Sequence, residues 1–295
     1  MTHFLITGAA GYIGSTLVEE TLKEGHRVTA LDRFFFGEDV LRDLAKSNRL
    51  SRVKKDIRDA EIADFNEVDV VVDLAALSND PAGDLDPKLT WEVSCLATMR
   101  LADEAKRQGV RRFIYASSAA VYGGSSTFRE ERSFESPLNV YGYSKFLFDQ
   151  VVRRRAGEAT AQVAGFRYFN VYGPQESHKG RMASVAWHFY NQYRATGKVR
   201  PFAGSGGYGD GEQRRDFVSV DDVVSVNLWF LDHPEVSGIF NVGTGKARSF
   251  ADLAKAVFRA SNREPQIVYV DMPEAMRSRI SSTIQPASWP SVAAW

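Results

Sequence analysis

Three glycines spaced three residues apart follow the first apolar run of this chain, and they limit what the chain can fold into. The run covers residues 3–7, and Gly8, Gly11 and Gly14 come directly after it. A strand that turns sharply into a helix needs glycines at such positions, because the turn is tight and the helix packs closely on the strand. The pattern therefore predicts that a strand, a glycine turn and a helix open the fold.

The same alternation continues along the chain. Further short runs rich in Val, Ile and Phe lie at residues 27–31, 68–74, 111–116 and 162–167, and helix-like stretches such as 14–23 and 90–108 separate several of them. Strands that alternate with helices form a parallel sheet covered on both faces. We expect the α/β class, with a Rossmann doubly wound parallel sheet.

A dinucleotide fits the glycine turn, because backbone can approach a pyrophosphate there and the helix N-terminus supplies N–H donors. The next strand candidate ends at Asp32, whose carboxylate can bind the adenosine ribose and repel a 2′-phosphate, which favours NAD. Arg33 could offset that repulsion, so the choice between NAD and NADP stays open. Asp56, after a third strand candidate, could bind the adenine amino group, and Ala75 and Ala76, after a fourth, would let backbone approach the cofactor.

A tyrosine and a lysine four residues apart carry the strongest catalytic signal. If the chain is helical from residue 141, Tyr141 and Lys145 share one face, where the ammonium lowers the phenol pKa and can hold the nicotinamide ribose. The tyrosine then becomes a usable acid/base. Ser118, at the carboxyl end of a strand candidate, would bind the reacting oxygen. On its own the pair could equally be packing and a solvated charge, but the glycine turn and Ser118 favour catalysis.

Composition excludes several other classes. The 37 basic residues balance 37 acidic ones, so no net field attracts nucleic acid or a membrane surface. Cys95 is the only cysteine, which excludes an intrachain disulfide and a multi-thiolate metal site. The first apolar run is too short for a signal peptide or a membrane span. We expect a cytoplasmic protein that binds no metal, nucleic acid or membrane.

After residue 170 the alternation gives way to loops. A Gly-Pro pair at 173–174, a polar stretch to residue 181 and a glycine-rich segment at 204–211 precede a last strand candidate at 239–242 and a helix candidate at 250–260. Such loops are typical of a ligand-facing lobe. We predict an NAD(P)-binding domain of residues 1–170 plus about 216–245, and a substrate-binding lobe of residues 171–215 and 246–295. From about residue 277 both periodicities break, which predicts a loosely ordered tail.

With these motifs in this order, residues 1–276 resemble the extended short-chain dehydrogenase/reductase family, the NAD-dependent epimerases and dehydratases of nucleotide sugars. Strings at 137–149, 165–174, 178–180 and 215–218 are most similar to its ADP-glyceromanno-heptose 6-epimerases, and the similarity is closest over about residues 119–257. The resemblance implies a nucleotide-sugar substrate, transient oxidation by bound NAD(P), return of the hydride to the other face, and a homo-oligomer. It favours NADP as the cofactor.

The resemblance also implies roles by position. Tyr141 is one acid/base and Lys179 is the second, acting on the opposite face, while Ser118 and Lys145 assist. The implied cofactor contacts are Gly8, Gly11, Tyr12, Ile13, Gly14, Asp32, Arg33, Asp56, Ile57, Leu74, Ala75, Ala76, Ser94, Tyr141, Lys145 and Val171. The implied substrate contacts are Ser118, Asn170, Lys179, Arg181, His188, Phe202, Ala203, Gly204, Ser205 and Arg215.

Two departures and two alternatives accompany this interpretation. Ser94 stands where the family usually has an asparagine, and Arg181 replaces a small residue expected to touch substrate. Another nucleotide-sugar epimerase or a 4,6-dehydratase would be a sister activity. Against the dehydratase, Ser118 and two alanines occupy the place of its Thr-Asp-Glu-like trio. A non-catalytic protein that senses dinucleotide is the alternative of a different class, and the complete set of Ser118, Tyr141 and Lys145 argues against it.

Overall fold

The computed structural model describes residues 1–78, 85–156 and 161–273, and its elements alternate as the sequence predicts. The strands are β1 (His3–Thr7), β2 (Arg27–Asp32), β3 (Leu50–Lys54), β4 (Val70–Asp73), β5 (Arg112–Ser118), β6 (Gln162–Tyr168), β7 (Asn170–Tyr172), β8 (Arg214–Ser219), β9 (Gly238–Val242) and β10 (Ala247–Ser249). The α-helices are α1 (Tyr12–Lys23), α2 (Pro87–Trp91), α3 (Thr98–Arg107), α4 (Val140–Arg155), α5 (Val185–Thr196), α6 (Val220–Asp232) and α7 (Phe250–Ala260).

Shorter helical turns connect these elements. A π-helical segment, Glu92–Ala97, joins α2 to α3. The 3-10 helices are Glu38–Leu41, Ile57–Asp59, Ile62–Phe65, Ala119–Tyr122, Arg132–Phe134 and Ser177–Met182.

Seven strands form one parallel sheet in the order β3-β2-β1-β4-β5-β6-β9. The strand order reverses at β1, whose neighbours are β2 and β4, and ligands of doubly wound sheets bind outside the carboxyl ends of the strands at such a switch point. The predicted α/β fold class is therefore confirmed, and all five predicted apolar runs of the first 170 residues are strands.

The central strands are apolar on both faces because helices cover both faces of the sheet. Ile6 of β1 belongs to a hydrophobic cluster with Val18 of α1 and Val223 of α6. Its neighbour Leu5 faces the other way, into a cluster with Leu101 of α3. Since successive side chains of a strand point to opposite faces, one run of four or five apolar residues builds both cores.

A smaller lobe follows β6. Strands β10, β8 and β7 form a second sheet, in which β8 runs antiparallel to β10 and parallel to β7. Helices α5 and α7 pack together through Phe189, Ala254 and Phe258. Helix α6 instead packs on α1, and β9 completes the large sheet. The predicted division of the chain into two lobes remains our proposal.

None of the helices that the structure describes is both long and apolar enough to cross a membrane. The predicted tail from about residue 277 lies outside the described residues.

Candidate active site

The glycine turn after β1 tolerates no side chain at two of its three glycines. Gly8 has a φ of +65°, and a Cβ there would lie 2.8 Å from the amide nitrogen of Ala75. A Cβ on Gly14 would lie 2.2 Å from the carbonyl oxygen of Gly8. Gly11 begins α1 without a side-chain cap, and the first turn of α1 carries no acidic residue. The helix N-terminus therefore presents backbone N–H groups to an anion.

A cleft of about 2190 Å³ opens at this turn and extends to the small lobe. A single small-molecule site typically has a volume of roughly 300–1,000 Å³, so this cleft has room for two nucleotide-sized ligands. The predicted site residues that line it are Gly8, Gly11, Tyr12, Ile13, Gly14, Asp32, Arg33, Asp56, Ile57, Leu74, Ala75, Ala76, Ser118, Tyr141, Lys145, Asn170, Val171, Lys179 and Arg215.

Asp32 is fixed at the end of β2. Its carboxylate accepts the amide N–H groups of Ala10, at 3.0 Å, and Phe34, at 2.6 Å, and burial raises the pKa of Asp32. The Arg33 guanidinium lies 3.4 Å from the carboxylate of Asp56. A rigid carboxylate beside a glycine turn fits the ribose and pyrophosphate of a dinucleotide, so the residues present match that group.

The helix that carries the Tyr-Lys pair begins where the sequence predicts. Asn139 caps α4 by accepting the amide N–H of Gly142 at 2.8 Å, so Tyr141 lies in the first turn and Lys145 one turn later. A Cβ on Gly142 would lie 2.7 Å from the carbonyl oxygen of Ala120. Helix α4 thus packs directly on the 3-10 turn that follows Ser118, and this contact brings the serine and the tyrosine to one wall of the cleft.

Lys145 is buried with opposite charges around it. Its side chain is 4% exposed, and loss of solvation lowers the pKa of Lys145, while the carboxylates of Asp73 and Asp149 oppose that shift. Asp73, at the end of β4, accepts the hydroxyl hydrogen of Thr7 at 2.5 Å. Burial raises the pKa of Asp73, and the Lys145 ammonium opposes the shift. The two side chains therefore compensate each other's charge beneath the cleft.

Lys179 reaches the cleft from the other side, on the 3-10 helix Ser177–Met182. Its ammonium lies 5.9 Å from the centre of the Tyr12 ring, at the start of α1. Burial lowers the pKa of Lys179, and the carboxylate of Glu176 opposes the shift. A lysine whose pKa is lowered can exchange a proton closer to neutral pH than a solvated lysine can.

Comparison with known proteins identifies the family. A model described as the NAD dependent epimerase/dehydratase family matches residues 4–243. The chain belongs to this family. It is 46% identical, over 314 residues, to ADP-L-glycero-D-manno-heptose-6-epimerase of Thiobacillus denitrificans, covering 95% of this chain and 89% of that protein.

Solved structures agree with this assignment. The heptose-6-epimerase of Helicobacter pylori is 29% identical, with a TM-score of 0.79, over 92% of this chain and 85% of that one. A UDP-glucose 4-epimerase of Thermus thermophilus, solved with NAD, is 26% identical, with a TM-score of 0.76, over 96% and 94% of the two chains. The family predicted from the sequence is confirmed, and the chain is an NAD(P)-dependent isomerase.

Several residues predicted for the site of this epimerase/dehydratase family member do not line the cleft. Ser94 is fully buried in the π-helical segment, where its hydroxyl accepts the amide N–H of Leu77 at 3.3 Å. A ring nitrogen of His188 lies 3.3 Å from the carbonyl oxygen of Arg181. The segment of Phe202, Ala203, Gly204 and Ser205 bonds to its own loop through Gln213 and Asp210. The functional roles of Ser94, Arg181, His188 and residues 202–205 remain predictions.

The sequence interpretation missed a buried ionic network behind α4. The Asp149 carboxylate accepts hydrogen bonds from Arg167 of β6, at 2.7 Å, and from the hydroxyls of Tyr115 and Ser117. Arg167 also donates to Glu135 at 2.5 Å. The available signal was spacing, since Asp149 follows Lys145 by four residues and therefore shares its helix face. The network ties α4, which carries Tyr141 and Lys145, to β5, which ends at Ser118.

Proposed function

We propose that this chain is a nucleotide-sugar epimerase that interconverts ADP-D-glycero- and ADP-L-glycero-D-manno-heptose by inverting C6. One observation carries the proposal: Tyr141 and Lys179, two side chains able to exchange protons, reach one cleft from different elements, beside a glycine turn fit for a dinucleotide. An epimerase needs proton transfer on both faces of a planar intermediate, whereas a simple dehydrogenase needs it on one. The 46% identity to a heptose epimerase supports the choice of sugar.

The residues of the large sheet would handle the first proton. Tyr141 takes the proton of the sugar hydroxyl as the carbon is oxidised, and Ser118 binds the same oxygen. The Lys145 ammonium stabilises the phenolate and holds the nicotinamide ribose. Bound NAD(P) supplies the hydride chemistry, which no side chain can provide.

Lys179 would act on the other face. After the planar ketone turns its opposite face to the nicotinamide, Lys179 delivers the proton that completes the inverted carbinol. Its half-buried position excludes much of the water that would otherwise compete for that proton. The same two residues exchange roles in the reverse direction, so both epimers are substrates.

The small lobe would hold the nucleotide diphosphate. Arg215 of β8 lines the cleft, and its planar guanidinium can bind two phosphate oxygens at once. Asn170 of β7 lines the same region and can donate to a sugar hydroxyl. We also propose, from composition and family resemblance, that the enzyme is cytoplasmic and homo-oligomeric.

The test is to incubate the purified protein and NAD⁺ or NADP⁺ with ADP-D-glycero-D-manno-heptose and to resolve the two C6 epimers by NMR. Tyr141→Phe should lower conversion by about 10²- to 10⁴-fold, the range of an acid/base contribution. Tyr143→Phe, the same change two residues along α4, is the matched control and should stay within about threefold of the parent. Absence of product despite tight cofactor binding would exclude this substrate, and absence of any turnover would favour a dinucleotide sensor.

A further inference from the structure

The buried carboxylate of Glu176 bonds to residues at both ends of the segment 173–184, which carries Lys179. Glu176 is 3% exposed. One of its oxygens accepts the amide N–H of Gly173 at 3.3 Å and the hydroxyl of Ser184 at 2.8 Å, and the other accepts the amide N–H of Ser184 at 2.5 Å. Ser184 in turn caps α5 by accepting the amide N–H of Trp187 at 3.2 Å. The carboxylate therefore joins the end of β7 to the start of α5.

Lys179 lies within this closed segment. Its amide N–H donates to the main-chain carbonyl of Glu176 at 3.1 Å, so the backbone of the two residues is joined by one helical turn. Gly180, with a φ of +54°, then redirects the chain. The lysine side chain extends over the Tyr12 ring into the cleft. Its position thus depends on the same turn that Glu176 anchors.

The charges around Lys179 are few and identifiable. Glu176 and His178 come from its own segment, and Tyr12 faces it from α1 as a neutral ring. The carboxylates of Asp32 and Asp221 act on His178 and Tyr12, respectively. Within the part of the chain that the structure describes, no carboxylate lies within 4.0 Å of the Lys179 ammonium. The Glu176 carboxylate acts on the ammonium from a distance, and its three hydrogen bonds fix it there.

We propose that Glu176 is a positioning residue that keeps the Lys179 ammonium charged and in place, and that its negative charge is the decisive contribution. The inference rests on the proposed role of Lys179 as second acid/base. Desolvation alone drives Lys179 towards its neutral form, which cannot donate a proton, and a fixed negative charge nearby restores the protonated form. A mobile surface carboxylate would be screened by solvent and could not do this reliably.

The experiment separates the charge of Glu176 from its hydrogen bonds. Glu176→Gln removes the charge and keeps the size, although its amide nitrogen cannot accept every hydrogen bond that the carboxylate accepts. Ser184→Ala removes both hydrogen bonds of the Ser184 hydroxyl, to Glu176 and from Trp187, and keeps the charge. The pKa of Lys179 is measured without turnover, by competitive acetylation with acetic anhydride over a pH series and mass spectrometry of the peptide. We expect Glu176→Gln to lower the pKa of Lys179 by about one unit, a tenfold change in the proton equilibrium, and Ser184→Ala to leave it within about 0.3 units.

The pH dependence of kcat/KM for epimerisation is the second readout. In Glu176→Gln the part of the kcat/KM profile that reports loss of the Lys179 proton should move to lower pH by about one unit, because the neutral lysine forms at lower pH. Glu176→Asp keeps a carboxylate and should therefore keep the pH profile of the parent enzyme. This variant also replaces Glu176→Gln if the glutamine variant folds poorly. In that case, a Lys179 pKa that falls by a full unit in Glu176→Asp would contradict the proposal.

Two results would overturn the inference. One is an unchanged lysine pKa in folded Glu176→Gln, and the other is an equal shift in Ser184→Ala, which would make the hydrogen bonds decisive. Failure of the heptose assay leaves the acetylation result readable, so loss of the proposed function and loss of this inference are distinguishable.

Discussion

At the scale of single residues, the site depends on buried charges that compensate each other. Asp73 and Lys145 are 2% and 4% exposed, and each opposes the pKa shift that burial causes in the other. Asp73→Asn removes the first of the two carboxylates that oppose the effect of burial on the Lys145 ammonium and leaves only Asp149, which is itself bonded to Arg167. We expect a loss of about 3 kcal/mol in the free energy of unfolding, as is typical when one partner of a buried pair is removed. Urea denaturation measures it.

The matched control for that prediction is Asp69→Asn. Asp69 lies just before the same strand, but its partner Arg111 is largely exposed. Exposed pairs contribute roughly 0–1 kcal/mol, so this variant should denature close to the parent. Equal losses in both variants would show that Asp73 has no special relation to Lys145.

A second residue, Asp32, should decide the cofactor. Its fixed carboxylate lies at the end of β2, where doubly wound folds place the ribose of a dinucleotide, and a 2′-phosphate there would add about two negative charges. The nearest counterion, Arg33, lies against Asp56. We therefore expect NAD to bind at least about tenfold more tightly than NADP, which corresponds to about 1.4 kcal/mol. Calorimetric Kd values for NAD and NADP check this prediction. Asp32→Ala should reduce the ratio of the two Kd values, whereas Asp59→Ala, which changes an exposed acid, should leave the ratio unchanged.

The sequence shows the motif residues, but it does not show the buried charged residues that pack against them, and the reason is physical. Gly8, Tyr141 and Lys145 are recognisable because chemistry demands them at fixed spacing. Asp73 and Arg167 carry ordinary charged side chains, and only the tertiary fold shows that they are buried. An acid at the end of an apolar run was the available signal for Asp73.

At the scale of elements, α4 acts by its close contact with the turn after β5. Gly142→Ala would place a Cβ 2.7 Å from the Ala120 carbonyl and push the helix away from Ser118. We expect kcat to fall by about 10²-fold, since a displacement near 1 Å can cost that much, and stability to fall by about 1–3 kcal/mol. Gly209→Ala, whose Cβ would meet Glu212 at 3.7 Å, is the matched control. An active, stable Gly142→Ala variant would contradict the close contact.

The apolar content of each strand explains which strands could be predicted from the sequence. Strands β1 and β4 are continuous apolar runs, so burial on both faces is readable from composition. Strand β8 begins with the exposed Arg214 and Arg215, and β10 has only three residues, with the exposed Arg248 in the middle. Such strands exist because they pair with each other, and pairing partners distant in sequence leave no local pattern.

At the scale of the whole molecule, the cleft joins the end that we propose for the cofactor, at the large sheet, to the end that we propose for the substrate nucleotide, at the small sheet. Its volume of about 2190 Å³ exceeds one ligand site. Gly11 lies in the turn after β1 of the large sheet, whereas Arg215 lies in β8 of the small sheet. NAD and ADP, the nucleotide half of the proposed substrate, should therefore bind together. We expect saturating ADP to change the calorimetric Kd of NAD by less than about threefold, and the two ligands together to raise Tm more than either alone.

Arg215→Ala separates the two ends of the cleft. The variant removes a guanidinium that can bind two phosphate oxygens. It should weaken the binding of ADP by about tenfold or more and leave the binding of NAD unchanged, because charge-assisted hydrogen bonds contribute roughly 1.5–3 kcal/mol. Arg259→Ala, an exposed arginine on α7, should alter neither Kd. Competition between ADP and NAD, or equal weakening of both in Arg215→Ala, would mean that the two nucleotides share one end of the cleft. The proposed acid/base pair would then lie too far from the sugar, since our proposal requires Tyr141 and Lys179 to reach a carbinol held between the two nucleotides.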